Sequence, residues 1–278
     1  MQGLMMDLPL TVTRILRHAQ QNHPEQVIVS ITADHPRHRC TYGELFARAG
    51  RLANALDRLQ VPADGRVATL AWNDFRHLEL FYAVACSGRI LHTVNPRLLP
   101  EQIAWIINHA GATVLFAAPE FAPLLAKVTP HLTDVQAVVF MTGPGHLPPA
   151  SAAPLLPAAR CYEALLEGEE PAFDWPELDE WRASALCYTS GTTGDPKGVL
   201  YSHRSTVLHA MAAACADVMG LRAVDTVLPV VPMFHVNAWG VPFVAPLAGA
   251  KLVLPGRAAG DPATLVDLIN SEGVTIAL

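Results

Sequence analysis

With 51% of its 278 residues hydrophobic and only 16% charged, the chain has ample apolar surface for a packed core, which excludes the disordered class. A formal net charge of −6, from 19 Lys and Arg against 25 Asp and Glu with no local basic cluster, argues against a nucleic-acid partner. Five cysteines, odd in number, scattered and free of any C-x-x-C pair, fit neither a disulfide framework nor a zinc ribbon and point to a reducing cytosol.

In chain order, Asp7 and Pro9 come before any apolar run long enough for a signal peptide. Leu10, Ile15 and Leu16, with Arg14 and Arg17 off their face, predict an amphipathic helix. Residues 34–40 gather His35, His38 and Cys40, but a fourth ligand at metal spacing is missing and Pro36 predicts a turn into a strand. Thr41 and Glu44 have the spacing of a capping box ahead of a helix carrying Leu45, Ala49, Leu52 and Leu56. Residues 66–72 read as a strand and 74–88 as a helix, with Asp74 as its N-cap and Gly88 as its terminator. The alternation continues to about residue 141, which predicts an α/β fold whose mainly parallel sheet is covered by helices on both faces.

Residues 142–160 are rich in Pro, Gly and Ala, and the acidic run from Glu167 to Glu180 with Pro171 and Pro176 inside it reads as a solvated linker. The expected organisation is a first lobe over 1–180 and a second over 181–278. In the second, 184–190 reads as a strand, 191–198 as a loop and 199–203 as a returning strand, with Ser205 capping a helix that Gly220 ends. The apolar region 227–250 is broken by Pro229, Pro232, Pro242 and Pro246, so no transmembrane segment is expected there. Asp261 and Pro262 open one more helix, and the sequence stops inside an apolar run, which leads us to expect an N-terminal fragment.

The stretch Tyr188-Thr189-Ser190-Gly191-Thr192-Thr193-Gly194-Asp195-Pro196-Lys197-Gly198 concentrates small polar chemistry. Glycines let backbone N–H groups turn toward an anion, threonines and serine add hydroxyl donors, and a lysine adds charge, which together suit a polyphosphate. A Walker loop is disfavoured, because Pro196 and Gly198 stand where that motif needs Gly and Ser or Thr, and because a strand follows. A nucleophile elbow would need glycine at Tyr188. A plain flexible turn does not account for so many hydroxyls and glycines followed by Pro-Lys-Gly.

This stretch resembles the signature of the adenylate-forming superfamily of acyl-CoA synthetases, luciferases and peptide-synthetase adenylation domains. Residues 92–111, 227–240 and 249–256 extend the likeness toward the medium- and long-chain fatty acyl-CoA synthetase branch, over effectively the whole chain. The resemblance implies two stacked, mainly parallel sheets with helices on both faces, and ATP-dependent activation of a fatty acid to an acyl-adenylate and then to acyl-CoA. ATP, Mg²⁺ and coenzyme A are the implied cofactors. Lys197 and the loop residues Thr189, Ser190, Gly191, Thr192, Thr193 and Gly194 would grip the phosphates, with Thr189 as the Mg²⁺ ligand. His235 would lie beside the substrate carboxylate as a catalytic group with Lys197, and Asn237, Trp239 and Gly240 would join it in binding substrate. The absence of an acid between His235 and Trp239 favours an uncharged, apolar substrate over an amino acid. The lid domain and the remaining Mg²⁺, ribose and adenylation residues are expected beyond Leu278, so the fragment alone is expected to be inactive. A cytosolic homodimer joined through the N-terminal region is implied as well. Two alternatives are carried with this reading: a non-catalytic oligomerisation module, and a ligase for another small apolar carboxylic acid.

Overall fold

A computed structural model describes residues 3, 5–148, 160–189 and 196–278. In chain order these form α1 (Val12–Asn22), β1 (Val27–Ser30), β2 (His38–Thr41), α2 (Tyr42–Arg58), β3 (Arg66–Leu70), α3 (Phe75–Cys86), β4 (Ile90–Thr93) and α4 (Pro100–Ala110). There follow β5 (Ala112–Ala117), α5 (Ala122–Val128), β6 (Ala137–Phe140), β7 (Arg160–Cys161), α6 (Tyr162–Leu166), β8 (Ala183–Tyr188), β9 (Gly198–Ser202) and α7 (His203–Ala214). The last are β10 (Thr226–Leu228), α8 (Val241–Ala248), β11 (Lys251–Leu254), α9 (Pro262–Glu272) and β12 (Ile276–Ala277).

The expected α/β class with two mainly parallel sheets is observed. One sheet runs β7-β6-β5-β3-β4-β8-β9 and the other β12-β10-β11-β1-β2. Among the described strands, only the β1–β2 and β8–β9 pairs are antiparallel. The alternation of side chains along each strand assigns the layers. On β5, Val114 and Phe116 face a central core, whereas Leu115 and Ala117 face a second core with Ile103 and Ile107 of α4 and Leu125 of α5. On β11, Leu252 and Leu254 join the same central core, and Val253 turns to a third with Leu268 of α9. Helices α1, α2, α3, α7 and α8 therefore lie between the sheets, with α4 and α5 outside one and α9 outside the other.

Helix α3 is the keystone of the central layer, since all of its 12 residues are buried. Its charged members are held by partners from other elements. Arg76 pairs with Asp34 at 2.8 Å and Glu163 at 2.7 Å, and Glu79 receives Arg48 and, at 2.6 Å, the Tyr162 hydroxyl. Asp74 caps the helix as expected, accepting from the His77 N–H at 2.8 Å. The capping box on α2 is also as read: Thr41 Oγ1 accepts from the Glu44 N–H at 3.2 Å and Glu44 Oε2 from the Thr41 N–H at 2.8 Å. Thr41→Ala should lower the unfolding free energy by about 1 kcal/mol, measured as a shift of the urea midpoint at constant slope.

The boundary at residue 180 does not separate the sheets, because β1 pairs with β11 in one sheet and β8 and β9 complete the other. The acidic run is exposed at most of its positions, as expected, but it is pinned at several points and is not a free linker. Asn54 Nδ2 donates to the carbonyls of Glu170 and Ala172, Leu178 is buried, and Glu180 accepts from the Leu10 N–H at 2.7 Å. At Gly50 a Cβ would sit 2.0 Å from the Pro171 carbonyl oxygen, so this segment is pressed against the bare backbone of α2. The cap of α7 is Ser202, whose Oγ accepts from the Ser205 N–H at 3.0 Å; the register of β9 carries the strand one residue short of the expected end. Helix α1 packs Val12, Ile15, Leu16 and Ala19 into the central core. No helix among the described residues is long and apolar enough to cross a membrane.

Candidate active site

Strands β8 and β9 bring Thr189 and Lys197 together at the mouth of the loop. The Thr189 N–H donates to the Lys197 carbonyl at 3.0 Å, and the Lys197 N–H reaches Thr189 Oγ1 at 3.4 Å. Both residues are exposed. Ser190, Gly191, Thr192, Thr193 and Gly194 lie outside the described residues. At the base, the Tyr188 hydroxyl and His109 Nδ1 are 2.6 Å apart, and Trp105 stacks on His109 with ring centres at 4.6 Å. The strand end that delivers Thr189 is thereby tied to α4.

Beside this hairpin lies a cavity of about 420 Å³, lined by Tyr201, Thr206, His209, Asn237, Trp239 and Phe243 among others, with Gly240 at its wall. Its lining is mainly apolar. Three of the four residues expected to bind substrate, Asn237, Trp239 and Gly240, are brought together here. His235 is not in the lining; it is exposed, one residue ahead of Val236 at the cavity edge.

The backbone carrying these residues is strained. Val236, Asn237, Ala238 and Trp239 have φ of 47°, 48°, 47° and 54°, and Gly240 follows at 78°. A left-handed turn costs each L-residue about 1–2 kcal/mol, because Cβ crowds the next carbonyl oxygen, and Val is among the residues least suited to it. Such an arrangement persists only where its surroundings determine it. Asn73 fixes the approach: its Nδ2 donates to the carbonyls of Pro229 and Val231, both at 2.9 Å, and its Oδ1 accepts from the Met233 N–H at 2.6 Å. His209 Nε2 lies 3.1 Å from the Trp239 carbonyl oxygen. A Cβ on Gly240 would meet the His209 ring at 2.6 Å, so glycine there serves both the left-handed φ and the close approach of α7.

Sequence reading missed Asn73, Tyr201, Thr206, His209 and Phe243. They come from three stretches of the chain, around residue 73, over 201–209 and at 243, and none sits in a motif with the residues it joins. Asn73 alone carried a signal, as a polar residue just past the carboxyl end of a parallel strand, where α/β sheets place their crevices.

The donor chemistry fits Mg²⁺ only in part. Thr189 offers one exposed hydroxyl, and among the described residues no cluster of three His, Cys, Asp or Glu side chains could hold a metal. A cation that keeps most of its ligands as water and phosphate oxygens needs little more from the protein.

Three comparisons place the chain. It is 48% identical over its whole length to the 3-methylmercaptopropionyl-CoA ligase of Ruegeria lacuscaerulensis, covering 51% of that protein. It is 47% identical, again over its whole length, to the medium-chain-fatty-acid–CoA ligase of Ectopseudomonas oleovorans, covering 50% of it. The chain thus spans about half the length of the curated relatives it matches. Among solved structures, the anthranilate CoA ligase AuaEII in complex with anthranoyl-AMP superposes with a TM-score of 0.84 at 23% identity, over 98% of this chain and 50% of that one, a likeness of fold. The family described as AMP-binding enzyme matches residues 16–278, and the chain belongs to that family.

Proposed function

We propose that the full-length protein is an ATP-dependent acyl-CoA ligase that converts a medium- or long-chain fatty acid to its adenylate and then to the coenzyme A thioester. The observation that carries this reading is the mainly apolar cavity of about 420 Å³ lined in part by Tyr201 of β9, the strand that follows Lys197, on a chain of the AMP-binding family. Bringing a carboxylate to a polyphosphate is opposed by like charge, so the site must neutralise one partner while aligning the other. Lys197 and the loop amides take that role, Thr189 supplies a hydroxyl to Mg²⁺, and His235, one residue before the cavity-lining Val236, contacts the carboxylate. Bound Mg²⁺ would add charge neutralisation at the phosphates. Asn237, Trp239 and Gly240 shape the acyl end.

Homodimerisation through the N-terminal region and action in the cytosol belong to the same proposal. Met5, Met6 and Leu8 are exposed apolar side chains ahead of α1, and all five cysteines are free. A second reading, a ligase for a shorter apolar acid, is supported by the 48% identity to a ligase named for 3-methylmercaptopropionate.

Pyrophosphate exchange by the full-length protein across straight-chain acids of increasing length, with 3-methylmercaptopropionate beside them, tests both. Trp239→Ala should flatten the length preference by about tenfold, the worth of one to two buried methylenes. An unchanged profile would remove Trp239 from the acyl site, and no exchange with any apolar acid would remove the proposal.

A further inference from the structure

The left-handed turn at Val236–Gly240 is held from the side as well as from its approach. Cys187 Sγ lies 3.4 Å from Asn237 Oδ1 and 3.2 Å from Thr93 Oγ1. All three side chains belong to buried residues, with Thr93 2%, Cys187 7% and Asn237 6% exposed. The hydrogen-bond direction follows from the inventory of donors. An amide oxygen only accepts, so the single thiol hydrogen goes to Asn237, and the Thr93 hydroxyl donates to sulfur. A one-way chain therefore runs from β4 through β8 to the turn. It ends on the residue type that, glycine aside, best tolerates left-handed φ.

We infer that Cys187 is a positioning residue: with Thr93 it fixes Asn237, and through it the strained turn that sets Trp239 against the cavity, so that it governs which acids the cavity accepts. This rests on the cavity being the acyl site. Cysteine suits the position because the thiol is a small apolar group with one weak donor. Alanine would fit the space but leave a buried amide oxygen without its partner.

The test uses the full-length protein. Cys187→Ala should raise the KM for the carboxylic acid about tenfold, the effect of one buried unsatisfied acceptor, with the KM for ATP unchanged. Cys187→Ser, which keeps an O–H donor, should recover most of that loss, and Thr93→Val should shift the acid KM in the same direction as Cys187→Ala. The fluorescence of Trp239, obtained as the difference from Trp239→Phe in each background, should shift in Cys187→Ala and return in Cys187→Ser. Unchanged Trp239 emission in Cys187→Ala, or equal changes in the KM for acid and ATP, would overturn the inference. The emission readout does not depend on turnover. If Trp239→Ala leaves acid selectivity intact while Cys187→Ala still shifts the emission, the acyl-site reading fails and the positioning of the turn stands.

Discussion

Lys197→Ala is expected to slow pyrophosphate exchange by the full-length protein about 100- to 1,000-fold, the usual cost of losing one preorganised charge-stabilising donor. The fold should be indifferent to the change. Lys197 is exposed, and its contribution to closing the hairpin is made by its backbone, whose carbonyl accepts from Thr189 and whose N–H meets the Thr189 hydroxyl. Alanine keeps both groups, as well as the pairing of Tyr188 with Gly198. The loss should therefore appear in kcat and in the KM for ATP while the urea midpoint stays in place. Lys197→Arg retains the cation and should lie between the two. Exchange by Lys197→Ala at the wild-type rate would place the phosphate-binding charge elsewhere.

Much of this fold was legible in the sequence because its signals are local. Thr41 and Glu44 announce α2 three residues apart, Asp74 and Gly88 bracket α3, and Asp261 with Pro262 opens α9. The Thr189–Lys197 hairpin was legible for the same reason, as a continuous string of glycines and hydroxyls between two strands. What failed was whatever depends on contacts far apart in the chain. The division at residue 180 follows composition, yet the pairing of β1 with β11 joins residues more than 200 apart. The acidic run is mostly exposed, as its charges suggest, whereas the backbone carbonyl that it lays on Gly50 carries no signal in the sequence. Helix α8 contains Pro242 in its first turn and Pro246 inside, and only burial among α1 and α7 sustains it. The left-handed turn before it has no glycine until its last residue, so no turn rule points to it.

The charged cluster around α3 should set the largest stability effect. Arg76→Met keeps length and apolar bulk but removes the cation that two carboxylates share. Arg76 is 1% exposed in its side chain and Asp34 4%, and the guanidinium makes two bonds to Asp34, one to Glu163 and one to the Met141 carbonyl. Stranding the buried Asp34 carboxylate in this way costs about 3–5 kcal/mol. Its pH dependence distinguishes it from a packing defect. Burial tends to raise the Asp34 and Glu163 carboxyls, but Arg76 outweighs it at Asp34, and Arg48 with Arg76 at Glu163, so both are held below the ordinary range. With folded pKa values depressed, the wild type draws stability from these groups above pH 4 to 5 and loses it only as the pH falls further. In Arg76→Met the Asp34 carboxyl loses its cation, burial dominates and its pKa rises, whereas Glu163 keeps Arg48. Asp34 then takes up a proton as the pH falls from 7 toward 5, which relieves the variant and not the wild type. Burial also lowers His77 and His203 to about 4 and His92 to about 3, so both proteins weaken together below pH 6.5, where the unfolded imidazoles bind protons and the folded ones do not. That common loss cancels in the difference. Urea unfolding should therefore show a gap between wild type and Arg76→Met that is widest at pH 7 and narrows toward pH 5; a gap independent of pH would mean that Arg76 acts through its packing on Phe75 and Tyr162 and not through its charge.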